Sequence, residues 1–335
     1  MKVRILGAVT SLALGAALVM GCADSGEDDQ RILDRYDAGG DVAVQGSETG
    51  TEDTDGLSPD SGIDGDNGED YDDAGTPDDG SDAQHVADAN GGNDGICQPA
   101  GDGVIRRDRV PLETGQSAPF LFGLDVPVNT AGEDIEGVRT WDLSAEGDGD
   151  FEEEVILKDP DDFWFGEVFP DATYATALSA DDDTDELGVF EVTDDALLLV
   201  GLASPDDGLY RTELTYDPPV TVLSFPFEEG DQWEVETEAE GSFGGNHFHS
   251  HDEVYETVVD AAGDMITPYG TFPVLRVNTL REQEVWMGGL VWVTTEVRTM
   301  AFVSECFGTV ARIISEEDEE EEEFDHAAEV MRLSL

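Results

Sequence analysis

From about Ile96 onward the chain runs in short stretches of alternating or β-branched residues, each closed by Gly, Asp or Pro. A period of two sends successive side chains to opposite faces, so these stretches predict strands. They fall near Gly137–Ser144, Glu152–Lys158, Ala172–Ser179, Leu187–Val192, Ala196–Leu202, Tyr210–Tyr216 and Val220–Ser224. Others fall near Gln232–Glu240, Glu253–Asp260, Phe272–Glu284, Leu290–Val303 and Thr309–Ser315. In VWMGGLVWV, Gly288 and Gly289 supply a two-residue hairpin turn, and AAGD at 261–264 reads as a second turn. Met331, Leu333 and Leu335 alternate, which predicts a closing strand at the C-terminus. No long segment keeps a 3.6-residue period, so helix is minor. The pattern predicts one all-β domain over 96–335, an antiparallel β-sandwich or an incompletely closed β-barrel.

The first 95 residues are different in kind. Lys2 and Arg4 precede an apolar run, ILGAVTSLALGAALVMG, which ends at Cys22. A charged start and an apolar stretch of this length predict a secretory signal over 1–21, too short for a comfortable spanning helix. Val19-Met20-Gly21-Cys22 resembles the lipobox of bacterial lipoproteins. That resemblance implies lipidation of Cys22, which becomes the first residue of the mature chain. Ala23 after it favours the outer membrane or cell surface. Residues 22–95 then read as a Gly-, Asp-, Ser- and Thr-rich linker with isolated apolar residues. Such a segment buries too little surface to offset its ordering entropy, so a disordered acidic leash is expected.

Charge narrows the partners. The chain has 80 Asp plus Glu against 15 Lys plus Arg, a formal net charge of −65. No basic footprint exists for phosphate backbones, so nucleic acid is excluded as a partner, and an anionic membrane is reached only through the lipid. The basic residues are arginines except for Lys2 and Lys158. Acid this dense favours saline or calcium-rich surroundings outside the cell. The run 316–323 must form an exposed loop, because adjacent like charges repel in a packed element. With Cys22 assigned to lipid, Cys97 and Cys306 remain, and an oxidising compartment predicts that they pair.

FPFEEGDQW (225–233), TPYGTFPVLRV (267–277) and CFGTVARI (306–313) resemble a pattern found in uncharacterised bacterial lipoproteins and periplasmic proteins. The resemblance covers about the last 110 residues. It implies an antiparallel sheet and no established activity. Pro226, Gly230, Pro268 and Gly270 suit turns, while Trp233 and Phe272 suit core anchors.

Candidate chemistry concentrates in GGNHFHSHDE (244–253). On a strand, His247, His249 and His251 share one face, with Phe248, Ser250 and Asp252 on the other. Same-face neighbours lie about 6.7 Å apart, so one strand offers two imidazoles to one ion. The outer pair, about 13 Å apart, is too distant to join the middle ring at a tetrahedral Zn²⁺. A bend in the strand, or a further ligand such as Asp252 or Glu253, would be needed. Zn²⁺ or another divalent cation is the one cofactor this pattern suggests, against the plainer reading of a polar hairpin tip. Neither the segment from Asp64 nor Asp181–Asp185 completes an EF-hand loop. There is no Gly-x-Ser-x-Gly elbow, His-Glu-x-x-His or P-loop. Ser204 and Lys158 sit in ordinary turns, and DDFWFGEVF (161–169) reads as a buried strand and its turn.

The sequence therefore predicts a lipid-anchored envelope lipoprotein without enzymatic activity, serving binding or structure. Two other functions stay open. One is carriage of an apolar or lipid ligand in a half-open barrel, and the other is metal binding through the histidine strand. Its protein or small-molecule partners are not specified.

Overall fold

The computed structural model describes residues 97–177, 180, 186–287 and 290–335, without the side chains of 246–248, 286–287 and 290–292. The expectations for the signal, Cys22, the leash, Asp181–Asp185 and Gly288-Gly289 lie outside these residues.

Sixteen strands follow one another among the described residues. The first eight are β1 (Val104–Ile105), β2 (Ser117–Pro127), β3 (Glu133–Ile135), β4 (Val138–Asp142), β5 (Phe151–Ile156), β6 (Tyr174–Ala177), β7 (Leu187–Val192) and β8 (Ala196–Ala203). The rest are β9 (Glu213–Ser224), β10 (Phe227–Glu228), β11 (Gln232–Phe243), β12 (Asn246–Ile266), β13 (Thr271–Met287), β14 (Leu290–Ser304), β15 (Gly308–Ser315) and β16 (His326–Leu333). Twelve of them form an antiparallel path in the order β5-β2-β16-β15-β14-β13-β12-β11-β9-β8-β7-β6. The path nearly closes on itself. Just past β5, Lys158 exchanges backbone hydrogen bonds of 2.8 and 2.9 Å with Ala175 of β6. Of the two architectures expected, the protein is the incompletely closed barrel.

Alternation decides which face turns inward. Along β12, His251, Glu253, Tyr255, Thr257 and Val259 are buried, while Ser250, Asp252 and Glu256 are exposed. The register sets Tyr255 opposite Arg281, Thr257 opposite Thr279 and Val259 opposite Val277. The inward row is thus polar near the β11–β12 turn and apolar toward the other end. There the apolar core gathers Tyr174, Phe190, Leu199, Val220, Val259 and Val277 with Ile105, Val110 and Leu112 from the N-terminal segment. That segment covers the barrel end where β9 finishes, and β1 pairs with β10. Its start is held by the Cys97–Cys306 disulfide, with Cα atoms 5.7 Å apart, and by Cys306 N–H donating to Arg109 O at 2.7 Å.

On the outer face, β3 and β4 lie across β12, and β4 runs parallel to it with Met265 opposite Trp141. Trp141 is buried. Its Nε1 donates to Thr130 O at 2.7 Å, and its ring packs edge-on to Phe302. Gly263 permits this crossing, since a Cβ there would lie 2.1 Å from Arg139 O. A second outer cluster forms where Phe165 and Phe169 cover Ala175, Val189 and Ala203.

Several expectations change. AAGD at 261–264 is not a turn but part of β12, which continues past a register shift between Val259 and Ala261. The two strands expected at 210–216 and 220–224 are one, β9, with a cis Asp217-Pro218 bond inside it. The segment 161–169 forms two short 3₁₀ turns rather than a strand. β2 was not expected, because Pro119, Gly123 and Pro127 read as breakers. The closing strand is β16, and Thr267 and Gly270 exchange backbone bonds around the Pro268 turn.

Cys97 and Cys306 are 209 positions apart, and closing so long a loop restricts the unfolded chain. Replacing both by Ser should lower unfolding free energy by about 2–5 kcal/mol. Denaturant unfolding of the variant beside the native chain checks this; equal midpoints would contradict it.

Candidate functional site

The inward polar row of β12 forms a continuous hydrogen-bonded ladder. His249 Nε2 lies 3.0 Å from His251 Nδ1, and His251 Nε2 lies 3.0 Å from Glu253 Oε1. Gln283 Nε2 donates to the same Oε1 at 2.9 Å, while the Tyr255 hydroxyl donates to Oε2. Arg281 brings NH1 to 3.8 Å from Glu253 Oε1. Apart from His249, which is half-buried against Phe243, every member is buried. Tyr216 of β9 is buried in the same interior. No protein group hydrogen-bonds the Arg281 guanidinium among the described residues.

The fold places these groups by register. Ala239 sits opposite both His251 and Tyr216, so its small side chain separates β12 from β9 on the inner face. Glu253 faces Gln283 and Tyr255 faces Arg281 across the β12–β13 pair. A carboxylate is costly inside a protein unless several donors converge on it. Burial alone would push the Glu253 carboxyl up. The His251 hydrogen bond, the Arg281 charge and the Tyr255 hydroxyl outweigh burial and hold it below its ordinary value. Burial, reinforced by the Glu253 charge, raises the Tyr216 and Tyr255 phenols well above theirs. Burial and then the neighbouring His251 lower His249.

Of the residues singled out in the sequence, His249, His251 and Glu253 come together here. Asp252 is exposed on the opposite face, and the His247 side chain lies outside the described residues. Tyr216, Tyr255, Arg281 and Gln283 were missed. Their signal was the shared parity of 251, 253 and 255, and it needed the pairing with β13 to become visible. His326 meets Asp125 Oδ1 at 2.6 Å on the surface, and Glu316 comes close to both. The acidic run 316–323 is a loop, as expected, but its last residue turns back. Glu323 binds Arg276 through two contacts of 2.7 and 3.0 Å, and Asp260 binds the same guanidinium.

A second feature lies near the opposite end of β9. An open cleft of about 550 Å³ is lined by Arg106, Arg107, Val192, Asp194, Phe225 and Pro226. Arg106 is already paired with Asp102, and Arg107 donates to Val110 O at 3.0 Å. The cleft combines apolar walls with charged groups of both signs.

No family model, curated protein or solved structure matches this chain.

Breaking the buried Glu253–Arg281 pair from one side leaves the other charge uncompensated. Arg281→Met should cost about 3–5 kcal/mol in denaturant unfolding, and Glu253→Gln a similar amount. The double variant should cost clearly less than the sum; strict additivity would show that the two groups do not interact.

The phenols give the pH dependence. A raised folded-state value means that the stabilising contribution is complete below the ordinary phenol value of 10.0 and is lost as pH rises through the folded value. Glu253 has the opposite sign. Its contribution is complete above 4.5 and is lost as pH falls through its lowered folded value. Tyr255→Phe should therefore flatten the alkaline limb of the stability profile and, by removing one donor to Glu253, move the acid limb to higher pH. An unchanged alkaline limb would contradict the assignment.

Proposed function

We propose that this chain is an exported lipoprotein, acylated at Cys22 and held at the outer membrane or cell surface. In this reading the acidic leash of residues 22–95 carries a half-open barrel that binds rather than catalyses. The observation that carries the binding role is the separation of the concavity from the buried His251–Glu253 ladder. The cleft lies near the end of β9 at Phe225, whereas His251 and Glu253 bond one another inside the barrel beside Tyr216. Catalysis needs reactive groups converging where a substrate can sit, so this arrangement favours holding a ligand.

The cleft also favours a more specific form of the proposal, a carrier for an apolar or lipid ligand. Val192, Phe225 and Pro226 offer apolar contact, and a volume of about 550 Å³ is within the range of small-molecule sites. Arg107 at the rim would suit an anionic head group.

The two parts are tested separately. Intact mass of the protein from membranes should show a chain beginning at Cys22 with diacylglycerol attached, and Cys22→Ser should release it into the soluble fraction. An unmodified Cys22 would defeat the anchor. A fluorescent fatty acid should bind the native chain, and Val192→Trp, which fills the cleft, should weaken it at least tenfold. Undiminished binding by that variant, or none by the native chain, would defeat the carrier.

A further inference from the structure

We propose that His249 and His251 form a binding site for a divalent transition metal, with Glu253 as the carboxylate that orients His251. This site lies apart from the cleft of the proposed carrier and stands or falls independently of it.

Hydrogen-bond logic fixes the tautomers. Glu253 faces the Tyr255 hydroxyl and the Gln283 amide, both donors to it, and the Arg281 guanidinium, so it is an acceptor throughout. His251 must then donate through Nε2, which leaves the Nδ1 lone pair directed at His249. His249 Nε2 therefore supplies the one proton that lies between the two rings, 3.0 Å apart. A metal ion can take that proton's place when His249 changes tautomer, its proton passing from Nε2 to Nδ1 through solvent, and each neutral ring then gives one lone pair to the ion.

The spacing suits an ion. Bonds of about 2.0 Å place cis nitrogens roughly 2.8 Å apart in square-planar geometry and about 3.3 Å apart in tetrahedral geometry. The observed 3.0 Å falls between them. The rings stand at 64° to one another, and binding requires that they turn from facing each other to facing the ion. His251 is buried and held by Glu253, so half-buried His249 is the ring that turns. A carboxylate behind a ligating imidazole fixes its tautomer and raises its basicity, and Glu253 stands in that position. Two imidazoles select Cu²⁺, Ni²⁺ or Zn²⁺ over Ca²⁺ and Mg²⁺, with Cu²⁺ tightest. Water completes the coordination on the solvent side of His249.

The test is calorimetric titration of the full mature chain with Cu²⁺ and with Zn²⁺, in excess Ca²⁺ to occupy surface carboxylates. One saturable ion should bind, with Cu²⁺ tighter than Zn²⁺, and the Cu²⁺ electron paramagnetic resonance spectrum should show coupling to two nitrogens. His249→Ala, at a half-buried position where folding should survive, should lose one nitrogen coupling and at least tenfold in affinity. Glu253→Gln should retain both couplings and bind 10- to 100-fold more weakly. If His249→Ala matches the native chain in affinity and nitrogen coupling, or the native chain takes up no ion beyond Ca²⁺, the site does not exist.

Discussion

Glu253 and Glu329 are carboxylates inside a barrel wall, and each meets an arginine there, Arg281 and Arg312 respectively. Arg332 meets Asp150 in the same manner, and Arg276 gathers both Asp260 and Glu323. A chain with 80 acids and 15 bases thus buries four arginines, two on the inner face and two, Arg276 and Arg332, on the other. The choice of arginine over lysine follows from geometry. A planar fork grips a carboxylate through two nitrogens at once, as Arg276 does with Asp260, and it does not lose its charge on burial. Such pairs are a poor source of net stability, because desolvation consumes most of their attraction. What they define is register. Slipping β12 by one residue against β13 would turn Asp252 and Glu256 inward and carry Glu253 and Tyr255 to the other face, separating Glu253 from Arg281.

The barrel therefore has two unlike halves. Near the end of β9 it is filled by Tyr174, Phe190, Val220 and Val259 and covered by the segment that the disulfide tethers. Toward the β11–β12 turn the same inward rows carry histidine, glutamate, glutamine and arginine. The ladder occupies the transition, with Glu253 fully enclosed and His249 half open to solvent. That gradient connects the buried charge to the surface through a chain of hydrogen bonds. It also explains why the concave cleft and the buried ladder are separate, as each belongs to a different end.

Much of the fold was legible because β-strands declare themselves by parity. Leu187–Val192 coincides with β7, and 13 of the residues expected at Phe272–Glu284 lie within β13. The failures share a cause. AAGD and SAPFLFGLDVP contain glycine or proline for reasons of crossing and packing, as at Gly263 and Gly123, and local rules read those residues as breakers. The site was less legible. VYETVV places apolar residues at both parities, Val254 and Val258 beside Tyr255 and Val259, so the sequence does not say which face is inner. Arg281 acquires meaning only opposite Tyr255, a pairing 26 positions apart that no local pattern encodes. The histidines were visible because they are rare. The carboxylate that organises them was hidden among 80 acids.

The central claim is that Glu253 is ionised inside the barrel and held so by His251, Arg281 and Tyr255. Carboxyl carbon NMR reports this directly, with the Glu253 resonance identified by its absence from the Glu253→Gln spectrum. The account predicts a resonance that stays at the ionised position as pH falls through 4.5, the ordinary glutamate value, and moves only below it. A Glu253 carboxyl already protonated at neutral pH, or titrating above 4.5, would contradict it.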